Sequence, residues 1–197
     1  MNAAEEIKLY FDYKSPFAYL ASAPAFGLEE RYQVRLRWIP YQLQIKGPGE
    51  RSQRSEWKAR YSYLDARRFA APRGLTIKGP KKVYDTRPAL IGALFAMEVG
   101  CFRRYTEEAY ARFFRRELEL DDTEAVAALL AELRASAEAY RRYLEGPGAA
   151  AYERCQNEAE ADHIFGVPIV LFRGEPFWGH DRIPLLEERL THAGLAR

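Results

Sequence analysis

Apolar positions are distributed differently at the two ends of the chain and in its middle. Ile7 to Tyr13 is a short, strongly apolar run with β-favouring residues, and it reads as a buried strand. Ser15-Pro16 follows, and a helical pattern then continues to about Arg31. Val34 to Ile39 alternates between apolar and basic residues and reads as a second strand, ended by Pro40. A helix between two strands leaves room for a crossover, so the pair should be parallel.

Beyond Leu43 the pattern changes. Residues 44–56 (QIKGPGERSQRSE) have loop chemistry, with two glycines and a proline. Trp57 to Phe69 reads as helix, residues 71–82 as another break, and Pro88 to about Ala161 as a series of helices. Thr86 and Asp121-Asp122-Thr123 mark helix starts, and Gly146-Pro147-Gly148 separates two helices. The strand pattern then returns: Ile169 to Phe172, a turn at Arg173-Gly174-Glu175, and a second strand at Pro176 to Trp178. Asp181 is expected to open a terminal helix carrying Leu185, Leu186 and Leu190. The order β-α-β, helical block, β-β-α describes a split α/β sheet with an all-helical insertion. Residues 1–44 and 162–197 would form the sheet domain and residues 45–161 the insertion.

Composition narrows the classes. Of 197 residues, 48% are hydrophobic and 14% aromatic, enough for a sizeable core. A net charge of +2, with acidic residues interleaved among basic ones, argues against nucleic acid as a partner. Cys101 and Cys155 lie 54 residues apart and there is no C-x-x-C, so neither a dithiol centre nor a cysteine-rich metal site is expected. No uncharged apolar run approaches the ~18 residues of a membrane span. The acidic start lacks the basic region and cleavage site of a signal peptide. A cytoplasmic location without membrane association is the expectation.

Ser15 is the residue where structure and chemistry compete. Serine before proline at a strand-to-helix seam is a good N-cap. The same place gathers free N–H groups and partial positive charge, which stabilise an anion such as a thiolate.

FDYKSPFAYLA near the start and FGVPIVLFRGEPFWGHDRIPLLEERL near the end resemble one family: the 2-hydroxychromene-2-carboxylate isomerases and kappa-class glutathione transferases, in the DsbA-like branch of the thioredoxin fold. The resemblance implies a thioredoxin-like fold with a large helical insertion. It puts serine where redox relatives carry the first cysteine of C-x-x-C. Ser15 would then hold the sulfur of glutathione, or of another low-molecular-weight thiol, with no metal. Val167-Pro168 matches the family's cis-proline site, where the backbone before proline pairs with the tripeptide; the alternative is an ordinary trans proline at a strand edge.

His180 and Asp181 occupy the positions that grip the γ-glutamyl end, and Lys58 matches a lysine near the site's mouth. Asp181 has a plainer alternative as a helix cap. Phe17, Tyr19 and Trp178 could line a flat pocket for a small aromatic substrate, or belong to the core. Ser52, Gln53 and Arg54 stand where the family often has a ligand-touching asparagine, and Asp85 and Thr86 stand in place of Asn and Ser. The resemblance further implies a homodimer. The activity it implies is a thiol-dependent isomerase opening a cyclic chromene carboxylate to a benzylidenepyruvate; the alternatives are a kappa-like transferase or a non-catalytic binding protein.

Overall fold

The computed structural model describes residues 4–46 and 52–197. The readings made on residues 1–3 and 47–51, including part of the loop after Leu43, lie outside the described residues.

Four strands form one mixed sheet in the order β2-β1-β3-β4. β1 (Glu5–Phe11) pairs in parallel with β2 (Val34–Pro40), Glu5 facing Val34 and Phe11 facing Pro40. β3 (Ile169–Phe172) runs antiparallel to β1, and β4 (Glu175–Trp178) antiparallel to β3. Pro176 is tolerated in β4 because that strand is at the sheet edge, where a missing N–H costs no ladder bond. The expected parallel pair and terminal hairpin are both present.

The first helical segment is two elements. α1 (Pro16–Phe26) ends at Gly27, and a single turn, α2 (Leu28–Arg31), follows. Pro24 sits inside α1 and cannot donate to Leu20 O. Arg73, in a 3₁₀ turn (Ala71–Arg73), supplies the missing donor with its Nη1 at 2.8 Å. A carbonyl left over by a helical proline thus becomes a tie to a distant segment.

Between β2 and β3 the chain forms α3 (Gln53–Ala70), α4 (Arg87–Glu98), α5 (Phe102–Arg115), α6 (Thr123–Glu132), α7 (Ala137–Glu145) and α8 (Pro147–Ala161). α3 starts four residues before the expected Trp57, because the Ser52 hydroxyl accepts from Ser55 N and caps it. Asp122 caps α6 through Glu124 N and Ala125 N. Thr86 makes no such cap on α4; Asp85 Oδ1 accepts from Arg87 N instead.

Tyrosines hold this block together. Tyr105 and Tyr140 are buried and donate to Ala89 O and Pro88 O at the start of α4, both at 2.9 Å. Tyr13 shares a 2.9 Å hydrogen bond with Thr106 on α5. Each ring brings a large apolar area into the core while its hydroxyl is satisfied. On the other side, Lys8 and Tyr10 of β1 bind Asp162 at 2.6 and 2.5 Å, anchoring the end of α8 to the sheet.

Gly92 of α4 faces Tyr105. A Cβ there would lie 2.4 Å from Tyr105 Oη and 2.9 Å from Val126 Cγ1. Helix propensity favours alanine by about 1 kcal/mol, but overpacking a closed core costs about 1–3 kcal/mol. Gly92→Ala is therefore expected to lower stability despite its better propensity, which urea unfolding will measure.

Candidate active site

The seam between β1 and α1 is built around a buried carboxylate. Asp12 is fully buried; its Oδ2 accepts from Leu43 N at 2.8 Å and its Oδ1 from Lys14 N at 3.2 Å. Its backbone carbonyl accepts from Ser15 N at 3.0 Å and from the Tyr110 hydroxyl at 3.4 Å. These bonds turn the chain sharply, so that Lys14 and Ser15 leave the strand end facing a cleft. Burial pushes the Asp12 carboxyl up from its usual range, and the Lys14 ammonium 3.5 Å away opposes that.

Ser15 is 4% exposed and has two partners. Its Oγ accepts from Ala18 N at 3.2 Å, which makes it the N-cap of α1. Its hydroxyl donates to Val167 O at 3.1 Å. The capping oxygen is therefore also the one that meets the Val167-Pro168 loop. That peptide bond is cis. The Val167 N–H donates to none of the described residues. Pro168 O accepts from Gly179 N at 2.9 Å, linking this loop to the segment before the last helix.

Gly179 is needed there. Its φ of 111° is a conformation that L side chains rarely adopt, and a Cβ would fall 2.5 Å from Asp181 Oδ1. A 3₁₀ turn (His180–Arg182) follows, and α9 (Ile183–His192) begins only at Ile183. This corrects the expectation that Asp181 opens or caps the terminal helix: its carboxylate caps no backbone N–H and pairs with Arg182 Nη1 at 2.7 Å.

Ser15, Val167, Pro168, His180, Asp181 and Lys58 all line one cleft of about 1250 Å³, with Phe17 and Trp178. Tyr19 does not. Its ring is buried, stacked on Tyr110 and Phe114 at 5.2 and 5.4 Å, because a residue four positions after the cap turns toward α5 rather than the cleft. Trp178 is half exposed and meets Phe165 edge-on at 4.9 Å beside the cis-proline loop. Around the cleft, eight lysine and arginine side chains stand against three carboxylates among the described residues. The chain as a whole is nearly neutral, so basic charge is concentrated at this opening.

His180 stacks on Phe17 at 5.4 Å and meets Phe69 edge-on at 4.6 Å. Burial lowers its pKa, Asp181 opposing and Arg73 adding to the effect. Its Nε2 is buried with no hydrogen-bond partner among the described residues. Sequence reasoning did not single out Asp12, Lys14, Phe69, Tyr84, Phe165 or Gly179 as site residues. Asp12 and Lys14 stood in the quoted motif, and their burial as charged residues was the unread signal; Phe69 and Tyr84 reach the cleft only through the packing of α3 and of the loop before α4.

Cys101 and Cys155 are both free thiols and neither lines the cleft. Among the described residues, no group of three or more His, Cys, Asp or Glu could hold a metal, and no helix is long and apolar enough to cross a membrane.

Residues 6–191 match the family model described as a DSBA-like thioredoxin domain. The chain is 27% identical to a 2-hydroxychromene-2-carboxylate isomerase of Pseudomonas putida, over 93% of each chain. It is 24% identical to one of Sphingobium xenophagum, over 93% of this chain and 97% of that one. The solved structure of a 2-hydroxychromene-2-carboxylate isomerase superposes with a TM-score of 0.80 at 23% identity, covering 95% of each chain. A cytosolic disulfide reductase, DsbM of Pseudomonas aeruginosa, superposes with a TM-score of 0.66 at 16% identity, over 94% of this chain and 98% of that one.

The lowered His180 pKa has a pH signature. The folded state disfavours the imidazolium, so the unfolded chain binds more protons as pH falls through its ordinary value of 6.5. Stability should therefore fall as pH drops below that value, levelling off below the folded pKa. His180→Gln should flatten this part of the stability curve, measured by urea unfolding at a series of pH values.

Proposed function

The chain belongs to the DsbA-like thioredoxin domain family, and on that premise we propose that it is an isomerase of the 2-hydroxychromene-2-carboxylate type, working with a bound low-molecular-weight thiol such as glutathione. The observation that carries this reading is Ser15: a buried hydroxyl at a helix N-terminus, touching the carbonyl before a cis proline. Ala18 stands three residues on, and no thiol lies in the cleft, so this chain brings no dithiol of its own to the site.

The residues present suit a tripeptide thiol. The Val167 N–H, with no described partner, is a donor for an extended backbone laid alongside it. His180 Nε2 is a buried polar atom on the same wall, lacking a partner among the described residues. Asp181 is an exposed carboxylate suited to an ammonium group, and the basic rim suits carboxylates.

When bound, the thiol supplies a nucleophilic sulfur that adds reversibly to a conjugated carbon, allows rotation about the bond that thereby becomes single, and departs. The chain's own part is electrostatic and geometric. Rotation of the Ser15 hydroxyl shifts its one proton from Val167 O to an anionic sulfur. The partial positive charge at the start of α1 stabilises the same anion. Phe17 and Trp178 offer aromatic faces to a flat substrate.

Calorimetric titration of reduced glutathione should give saturable 1:1 binding that Ser15→Ala and Asp181→Ala both weaken. Ser15→Ala should also cost about 1 kcal/mol of stability through the lost cap. Turnover of a chromene carboxylate should require the thiol without consuming it. Net consumption of the thiol with an electrophilic acceptor would instead identify a transferase, and absence of glutathione binding would overturn the glutathione assignment.

A further inference from the structure

Lys14 is a charged residue whose position the proposed thiol site does not explain. Its side chain is 6% exposed, yet it lines the cleft next to Ser15. Its ammonium has three N–H donors, and two acceptors are near: Tyr84 O at 3.3 Å and Asp12 Oδ2 at 3.5 Å. Both contacts are long for charge-assisted bonds, which settle at about 2.7–2.9 Å. Asp12, for its part, already accepts from two backbone N–H groups. The pair is therefore looser than a buried structural ion pair requires, and the positive charge has spare capacity.

Its direction also differs from that of its neighbour. Ser15 engages the cis-proline loop through Val167 O, whereas Lys14 reaches toward Tyr84, in the loop that leads into α4. Consecutive residues, about 3.8 Å apart at Cα, thus address two different walls of one cleft. One wall offers a backbone donor for the thiol; the other offers a buried cation.

Resting on the isomerase reading above, we propose that Lys14 anchors the carboxylate of the aromatic substrate, a specificity-determining role separate from the thiol site at Ser15. A carboxylate is the group that suits it: an anion with two acceptor oxygens complements an ammonium whose N–H groups are only weakly engaged. Burial strengthens that attraction over what the exposed rim lysines can offer. The adjacency to Ser15 places the carboxylate within one small molecule's span of the sulfur. Lys14 touches substrate without exchanging a proton or forming a bond.

The test compares an aromatic carboxylate with its neutral amide. Cinnamate and cinnamamide are titrated calorimetrically into the full chain in the presence of reduced glutathione. The wild type should prefer the acid by about tenfold, and Lys14→Met should abolish that preference. Lys14→Met leaves Asp12 buried without its cation, so Asp12→Asn combined with Lys14→Met is the companion, with thermal unfolding as the check on folding. The double variant, which buries no unpaired carboxylate, should show the same loss of acid preference with glutathione affinity unchanged.

Three results would overturn the assignment: no acid preference in the wild type, a preference that survives in both variants, or an equal loss of glutathione affinity in the double variant. Failure of the isomerase reading looks different. In that case glutathione does not bind the wild type, or no chromene carboxylate turns over, whatever Lys14 does to the acid preference.

Discussion

The carboxylate of Asp12 is the point on which the site's geometry depends. A fully buried carboxylate is tolerated only when its acceptors are satisfied, and here two backbone N–H groups and an ammonium do that. The donors come from the loop after β2 and from the turn into α1. The Asp12 carbonyl adds Tyr110 from α5 and Ser15 N. One residue therefore clamps sheet, first helix and helical block together where Ser15 emerges. Leaving that charge unsatisfied would cost about 3–5 kcal/mol and would also release the seam that aims the hydroxyl.

Aromatic packing gives that clamp a rigid setting. Tyr13 meets Tyr105 and Tyr110 edge-on at 5.8 and 4.9 Å, and Tyr19 lies against Tyr110 and Phe114. The residues flanking the seam are thus held by rings from α5. The cleft side is different in kind. His180 sits between Phe17 and Phe69, and the Phe165–Trp178 pair remains open to solvent. A closed aromatic cluster behind Ser15 and an open one in front of it separate what positions the hydroxyl from what can receive a flat ligand.

Charge adds a second division. Many ion pairs among the described residues are exposed, such as Arg141 with Glu124, and contribute little individually. The uneven balance at the cleft matters more, because like charges gathered around a concave opening draw in anions. The low net charge of the chain conceals that local excess.

The residues alone determined the order of the elements, the parallel β1–β2 pair, the terminal hairpin and the cap at Ser15. Each follows from side-chain period or from one backbone N–H meeting one nearby acceptor, and both are local properties. The quoted motifs also contain Phe17 and Trp178, both of which line the cleft. Tertiary structure alone decided that Tyr19 belongs to the core, that Asp181 pairs with Arg182 instead of capping α9, and that Arg73 completes Leu20 O. It alone buried Lys14 in the cleft wall, although Lys14 stands in the first motif read. Apart from the adjacent Asp181–Arg182 pair, the reason is the same: burial and hydrogen-bond partnership are set by groups tens of residues away, brought close only when the helical block docks on the sheet.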